Sequence, residues 1–369
     1  MAPACGGSKA NSTGGASTGG TSTGSPGSQP LRLDAGASHV FAGIALAASQ
    51  GEGELLFAQT AAVGYQVLLQ HLSPSGGSVG PMVPVAMTDP NSPAHVAVDS
   101  NGSEVACCWE DFGLNPNTIG LEDRGQLVLC NSVHLGGMLP DDAMDGGFID
   151  LGYQPSLTHN GETTLVGYSQ FGSYGVLEEI LYQPWGSGLE YPAPYLVLGS
   201  QVAAIAGGFQ VVMYDGGSLA FGLETMNLHN DGGLWGVPNG GSSSGTFALA
   251  SSSPVTAVLL HQGSSVGATM IGGSSAALIS LSAPGDEPLD PLAAATCAPS
   301  TFGFAYALDG GDVMFREATA AGGAVGSSST LVANLGGNVT ALGMAAVDGG
   351  VLIAAGTPTA IALYSVACP

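Results

Sequence analysis

Turns that contain glycine recur along this chain at intervals of roughly 40 to 60 residues, a spacing typical of repeated β-structure. Asn-Gly and Asp-Gly pairs readily supply the positive φ that two-residue hairpin turns require. The turns therefore predict one β-hairpin unit repeated along the chain. We place them at Glu52-Gly53, Asn101-Gly102, Asn160-Gly161, Gly207-Gly208, Gln262-Gly263, Asp309-Gly310 and Asp348-Gly349.

Apolar segments of strand length follow each turn. The predicted second strands read ELLFAQ, EVACCWE, TTLVGYS, FQVVMYD, SVGATMI, DVMFREA and GVLIAAG. The predicted third strands read YQVLLQHL, GQLVLCNSV, GVLEEILY, SLAFGLETM, AALISLS, an ill-defined stretch near 323–332, and TAIALYSV. Shorter pieces between the units are candidates for fourth strands, namely PMVPVAM, FIDLGY, YLVLG and TFALA.

This pattern favours an all-β fold, most simply a β-propeller with seven blades of three to four antiparallel strands. Glycine accounts for 60 of 369 residues, and only 9% of residues are charged, against about a quarter in ordinary domains. No window shows a sustained helical period. The alternative architecture is a pair of tandem β-sandwiches with a boundary near the SSSG run at 242–245.

The first part of the chain has a different composition. Cys5 follows the small residues Ala2-Pro3-Ala4 and precedes a run that is almost entirely Gly, Ser and Thr. Such a run buries too little apolar surface to offset the entropy of ordering. We expect residues 1–36 to be a lipidation site and a disordered tether, and residues 37–369 to be the propeller.

Cys5 and its flanks resemble the attachment site of an exported bacterial lipoprotein, and the whole chain resembles such a lipoprotein with a sequence-divergent β-propeller domain. Ala2 stands where those sites usually have Leu, and the apolar core of a signal peptide is missing. The alternative is a free cysteine in a disordered terminus. The resemblance implies lipidation of Cys5 and a location in the bacterial cell envelope, lipid-anchored, or outside the cell.

The charge balance excludes several functions. The chain has 28 acidic and four basic residues and a formal net charge of −24, which repels nucleic acid. Its only lysine is Lys9, in the predicted tether, so the folded part has no lysine for a Schiff base or a phosphate-binding loop. The charge favours cations and cationic partners, and the alternative is a simple gain in solubility on an extracellular surface.

Six cysteines fit an exported protein. We expect Cys107 or Cys108 to pair with Cys130 across neighbouring strands, and Cys297 to pair with Cys368 near the C-terminus. With Cys5 set aside, an odd number remains, so one thiol is left free or pairs with another molecule.

Aromatic and acidic residues end several predicted second strands and are candidates for a ligand site. They are Trp109, Glu110, Asp111, Tyr168, Tyr214 and Asp215. In a propeller, these strand ends surround one mouth of the central channel, where aromatic rings and carboxylates can bind a glycan or a peptide. The alternative is ordinary packing between blades.

A second candidate site is an acidic loop. Asp99, Asn101 and Glu104 place oxygen ligands close together in a manner that calcium prefers, although the spacing differs from an EF-hand. The same residues also favour a plain hairpin turn. We expect no other cofactor, and for the scattered histidines we expect structural roles.

The sequence thus predicts a lipid-anchored recognition or scaffold module that binds a protein or a glycan at the cell surface. No motif indicates catalysis. Two alternatives stay open: a polysaccharide hydrolase or lyase with carboxylates at the channel mouth, and a structural subunit of a cell-surface assembly.

Overall fold

A computed structural model of the chain shows an all-β architecture with no helix among the residues it describes. None of the described segments is a helix that is long and apolar enough to cross a membrane. The described residues are 32–34, 39–89, 92, 95–114, 124–134, 147–151, 153–160, 164–169, 176–181, 187–192, 199–214, 217–225, 235–242, 246–274, 277–332 and 335–368.

The described strands form seven four-stranded antiparallel sheets, numbered I to VII along the chain. Sheet I contains β2 (Phe41–Ser49), β3 (Glu52–Thr60), β4 (Tyr65–Leu72) and β5 (Val83–Met87). Sheet II contains β6 (Val96–Ser100), β7 (Glu104–Leu114), β8 (Arg124–His134) and β9 (Gly147–Leu151). Sheet III contains β10 (Tyr153–His159), β11 (Thr164–Ser169), β12 (Val176–Leu181) and β13 (Ser187–Pro192).

The remaining sheets follow the same order. Sheet IV contains β14 (Gly199–Ile205), β15 (Gly208–Tyr214), β16 (Ser218–Thr225) and β17 (Trp235–Gly241). Sheet V contains β18 (Phe247–Ser252), β19 (Val255–Gln262), β20 (Ser265–Ile271) and β21 (Ile279–Ser280). Sheet VI contains β22 (Pro288–Ala298), β23 (Thr301–Leu308), β24 (Val313–Thr319) and β25 (Ala324–Val332). Sheet VII contains β26 (Ala341–Val347), β27 (Gly350–Thr357), β28 (Ala360–Ala367) and β1 (Arg32–Asp34).

Sheet VII is built from both ends of the folded chain. Its first three strands come from the C-terminal part, and β1 pairs antiparallel with β28 through Arg32 with Ala362 and Asp34 with Ala360. Leu33, which lies between Arg32 and Asp34 in β1, packs against the core cluster that contains Phe57 and Leu363. Pairing with β1 covers part of the β28 edge that would otherwise be open to other chains.

Several hairpins close as the sequence predicts. Gly102 and Gly349 adopt positive φ values of 86° and 85° between the first and second strands of sheets II and VII. Asn101 adds an Asx turn, because its Oδ1 accepts hydrogen bonds from the backbone amides of Ser103 and Glu104.

Four predicted turns are wrong in position. In sheet IV the turn is Ala206-Gly207, and Gly208 begins β15. The first turn of sheet I is Gln50-Gly51, and Glu52-Gly53 begins β3. Gln262-Gly263 and Asp309-Gly310 join the second strand to the third, so that SVGATMI and DVMFREA are third strands. In sheets V and VI the first hairpins close at Ser253-Pro254 and Pro299-Ser300, which do not contain the glycine on which the assignment depended.

The predicted outer strands need similar corrections. PMVPVAM and FIDLGY contain fourth strands, β5 and β9, as expected. TFALA instead belongs to the first strand β18, and AALISLS contains the fourth strand β21. The stretch near 323–332 is a fourth strand as well, β25.

Apolar side chains fill the spaces between neighbouring sheets. Leu56 and Val67 of sheet I pack against Val105 and Trp109 of sheet II. Between sheets III and IV, the backbone of Gly167 lies directly against the side chain of Val202. A Cβ at position 167 would lie 2.7 Å from Cγ1 of Val202. The first strand of each sheet contacts the first strands of both neighbouring sheets, and β26 of sheet VII contacts β2 of sheet I.

Two disulfides add covalent links, and both match the predicted pairs. Cys108 and Cys130 lie directly opposite each other on β7 and β8. Cys297 of β22 joins Cys368, which follows β28, and so links sheet VI to sheet VII. Cys107 is a free and buried thiol, and burial raises its pKa.

Candidate functional site

A cavity of about 880 Å³ lies where the first strands of all seven sheets come together. Much of its wall is apolar and comes from residues such as Ile44, Val98 and Leu292. Cavities of about 300–1,000 Å³ are the usual size for small-molecule sites.

Polar residues lie on one side of this cavity, because they stand at or just before the beginnings of first strands that run side by side. We call this set the rim. It contains His95, Gln154, Gln201, Thr246, Asp290 and Asn338.

The rim contains an imidazole held by a buried carboxylate. His95 precedes β6 and faces Glu110 of β7, and the backbone amide of Glu110 donates to the carbonyl of His95. Across the same pairing, His95 Nδ1 lies 3.0 Å from Glu110 Oε1. The side chain of Glu110 is fully buried, whereas 57% of the His95 side chain is exposed.

A residue from the next sheet completes this arrangement. Gln154 lies in a β-bulge at the start of β10, where its φ is +55°, unusual for a residue with a side chain. This conformation lets its backbone amide donate a hydrogen bond to Glu110 Oε1, the same oxygen that holds His95. Backbone strain of this kind is often concentrated at functional sites.

The chemistry of the pair follows from its hydrogen bond. A carboxylate only accepts, so the proton in the bond is on Nδ1 of His95, and Nε2 of the neutral ring carries a lone pair. Among the described residues, Nε2 has no hydrogen-bond partner. The hydrogen bond to Glu110 raises the pKa of His95, and this effect outweighs the opposing one of burial.

Glu110 itself is incompletely satisfied. Its Oε2 is buried and has no hydrogen-bond partner among the described residues. A buried carboxylate in this state lowers stability, and it is retained most readily where it serves a function.

The residues predicted to bind a ligand occupy different places. Tyr214 lines the cavity, and its hydroxyl donates to the carbonyl of Ser242 at 3.5 Å. Glu110 lies behind His95 rather than on the cavity surface. Trp109 and Tyr168 pack between sheets I and II and between sheets II and III, so that both rings are buried in interfaces.

Asp111 accepts hydrogen bonds from two residues that precede β6 in the chain. Its Oδ1 accepts from the backbone amide of Asp89 at 2.8 Å and from the hydroxyl of Ser92 at 2.7 Å. Asp215 and Cys5 lie outside the described residues.

The residues of the predicted calcium loop form a hairpin turn. Asn101 Oδ1 accepts from three groups, the amides of Ser103 and Glu104 and the hydroxyl of Ser103. Asp99 Oδ1 accepts from the amide of Ser100 at 2.8 Å. Burial raises the pKa of Asp99 to about 7, although hydrogen bonds from Ser100 and His159 oppose the shift. Calcium binding at this loop stays a prediction.

Within the described residues, one group of side chains has the spacing of a metal site, namely Cys297, Glu317 and Cys368. The two cysteines form a disulfide, and a disulfide offers no thiolate to a metal. This group is therefore structural.

His95, Gln154 and Asp290 were not singled out from the sequence. The hairpin pairing across β6 and β7 could have identified His95, because it sets this residue opposite Glu110. No sequence signal marks the bulge at Gln154 or the position of Asp290 on the rim.

No family model matches the chain, and no curated protein is similar to it in sequence. Several solved structures share its fold. The BP39L lectin from Burkholderia pseudomallei is 13% identical with a TM-score of 0.58, and the match covers 89% of this chain and 97% of the lectin. A streptogramin B lyase is 13% identical with a TM-score of 0.53, over 90% of this chain and 97% of the lyase. The polysaccharide lyase Uly1 is 10% identical with a TM-score of 0.52, over 87% and 89% of the two chains. At this level of identity the fold alone is shared, and that fold is all-β and propeller-like.

Proposed function

We propose that this protein is a seven-bladed β-propeller that binds a glycan at the rim of its cavity. The observation that carries the proposal is a cavity of about 880 Å³ whose wall comes from the first strand of every sheet. The contact of β26 with β2, which brings the last sheet beside the first, supports a closed ring over two sandwiches.

The chemistry of the rim suits a neutral sugar. It combines an imidazole, amide side chains, a hydroxyl and the exposed Asp290, which together donate and accept hydrogen bonds as sugar hydroxyls require. The net charge of −24 disfavours an anionic ligand. The fold is shared with a protein described as a lectin, which supports the same class of ligand.

A glycan-binding assay tests this function. The protein is applied to an array of neutral and anionic glycans, and hits are measured by calorimetry. We expect neutral glycans to bind, and Asn338→Ala to weaken binding, because Asn338 is an exposed member of the rim. Asp309→Ala is a matched control, since Asp309 is exposed and is not among the residues that line the cavity. Binding that is absent on all glycans, or equally reduced by both changes, would contradict the proposal.

We also propose that Cys5 carries a lipid that anchors the protein to the cell envelope. The Gly/Ser/Thr composition after Cys5 supports this, because such a run can act as a flexible spacer. Mass spectrometry of the protein expressed with a lipoprotein signal sequence tests the proposal. Acyl chains on Cys5 are expected, and an unmodified thiol on a soluble product would rule out the anchor.

A further inference from the structure

We propose that the rim hydrolyses an ester on a neutral glycan, with His95 as the general base and Glu110 as the residue that positions it. This inference rests on the proposed glycan site and adds an activity to it. It starts from the geometry of the pair: His95 Nδ1 is 3.0 Å from a buried carboxylate oxygen, and the His95 side chain lines the cavity.

Three features set this histidine apart from a structural one. Glu110 fixes the tautomer, so that the basic nitrogen is Nε2, on a side chain that is largely exposed. Gln154 uses a strained φ to direct its amide onto the same carboxylate oxygen, which fixes Glu110 in turn. The arrangement costs stability, because Glu110 Oε2 is buried without a partner in the described part of the chain. A base oriented by a third group is the usual design for activating a nucleophile.

The nucleophile is water. His95 Nε2 removes a proton from a water molecule in the cavity, and the oxygen of that water bonds to the ester carbonyl carbon. The tetrahedral intermediate collapses, the carbon–oxygen bond to the sugar breaks, and the protonated His95 returns its proton to the leaving sugar oxygen. Ester and water give a carboxylic acid and an alcohol, so the reaction needs no other reactant.

The charge of the protein favours this substrate class. An acylated neutral glycan carries no charge for the net −24 to repel, whereas the acid that is released ionises at neutral pH and is repelled. Among the described residues, the base lies beside one ionisable side chain, Glu110, and Asp290 and Tyr214 line the cavity elsewhere. The same net negative charge repels an anionic uronate, and it therefore disfavours elimination from such a substrate.

The experiment measures acid released from acetylated xylan oligosaccharides and from glucose pentaacetate. We expect saturable release by the wild type and a loss of at least about 100-fold in kcat for His95→Gln, the range of general-base effects. His159→Gln is the matched control, because His159 ends a first strand and does not line the cavity. Because the side chain of His95 is exposed, we expect the His95→Gln variant to fold as the wild type does, and a far-ultraviolet circular dichroism spectrum checks this.

The pH profile tests the positioning role of Glu110. The rate should rise with pH as His95 loses its proton, and Glu110→Gln should move this rise to lower pH, because Glu110 holds the pKa of His95 above its usual value. A purely structural role would lower the rate without moving the profile.

The outcomes separate the two proposals. If calorimetry shows glycan binding but the wild type releases acid no faster than His95→Gln, the hydrolytic activity is refuted and the glycan site stands. If no glycan binds and no ester is hydrolysed, both fail. Hydrolysis that His95→Gln leaves intact would also overturn the role of this residue.

Discussion

His71 Nδ1 lies 2.6 Å from Oε1 of Glu54, a carboxylate of β3 that is almost completely buried. The other ring nitrogen, Nε2, lies 2.6 Å from Oε2 of the more exposed Glu52. Burial raises the pKa of Glu54, and His71 only partly offsets this effect. Burial also lowers the pKa of His71, but the two carboxylates together outweigh it and raise that pKa.

His71→Gln should therefore destabilise the fold. The change removes the cation from Glu54, whose Oε2 already has no partner within the described residues, and we expect a loss of about 1–3 kcal/mol in the free energy of unfolding. A His with a raised pKa stabilises the fold fully below pH 6.5 and loses this effect as pH rises through its folded pKa, so the loss should be larger at pH 6 than at pH 9. Urea unfolding at pH 6 and at pH 9 measures this loss of stability. The double variant His71→Gln/Glu54→Gln should recover part of the loss, and equal stability of His71→Gln and wild type would contradict the prediction.

Asp99→Asn should stabilise the protein above neutral pH. Burial raises the pKa of Asp99 from 3.8 to about 7, so the folded state holds a proton that the unfolded state releases between these values. Stability at this site thus falls as pH rises from about 4 to about 7. Asn keeps the acceptor for Ser100 and carries no charge. The variant should melt a few degrees higher than wild type at pH 8, and the difference should disappear near pH 4.

The control for that experiment is Asp309→Asn. Asp309 is exposed, and its Oδ1 accepts from the amide of the next residue, as that of Asp99 does. The two carboxylates differ in burial and in the further hydrogen bond that the backbone of His159 gives to Asp99. Equal thermal shifts for both variants across the pH range would show that burial of Asp99 does not affect stability.

The disulfide between Cys297 and Cys368 should make a large contribution to stability, because the two residues are 71 positions apart. In the loop-entropy account, a closure of this length contributes about 4 kcal/mol. Cys297→Ser/Cys368→Ser should lower the free energy of unfolding by a comparable amount in guanidinium titrations. The shorter loop between Cys108 and Cys130, 22 positions apart, should contribute somewhat less, about 3 kcal/mol. The reverse order would argue against the entropic account.

Removal of β1 should destabilise sheet VII. Deletion of residues 1–38 exposes the edge of β28 and removes Leu33 from its core cluster. We expect a lower midpoint of thermal unfolding and more aggregation in light scattering, because open strand edges pair with other chains. Deletion of residues 1–31 keeps β1 and is the matched control. The prediction fails if the two truncated proteins melt at the same temperature.

The sequence predicts the all-β class because glycine turns and apolar segments are local features. It predicts the pairing with Cys130 for the same reason, since Cys108 and Cys130 lie on adjacent strands of one sheet. It misplaces Gln262-Gly263 because both hairpins of a sheet can contain glycine, and a turn alone does not say which hairpin it closes.

The candidate site could be predicted only in part. Glu110 is recognisable as a carboxylate among aromatic residues, but its burial behind His95 depends on the register of β6 and β7. Trp109 is recognisable as a large ring, yet its side chain points into the interface between two sheets. The side of the strand that faces the cavity is a matter of tertiary packing, which short-range patterns do not encode.

The pairing of β1 with β28 also constrains how the molecule can be assembled. Arg32 and Ala362 meet although 330 positions separate them, so sheet VII stays incomplete until β28 is available to pair with β1. Contacts this distant in sequence form late, since the entropy of closing so long a loop is lost before any contact repays it. A partly folded chain therefore presents an open edge at sheet VII, and misassembly is favoured at this step of folding.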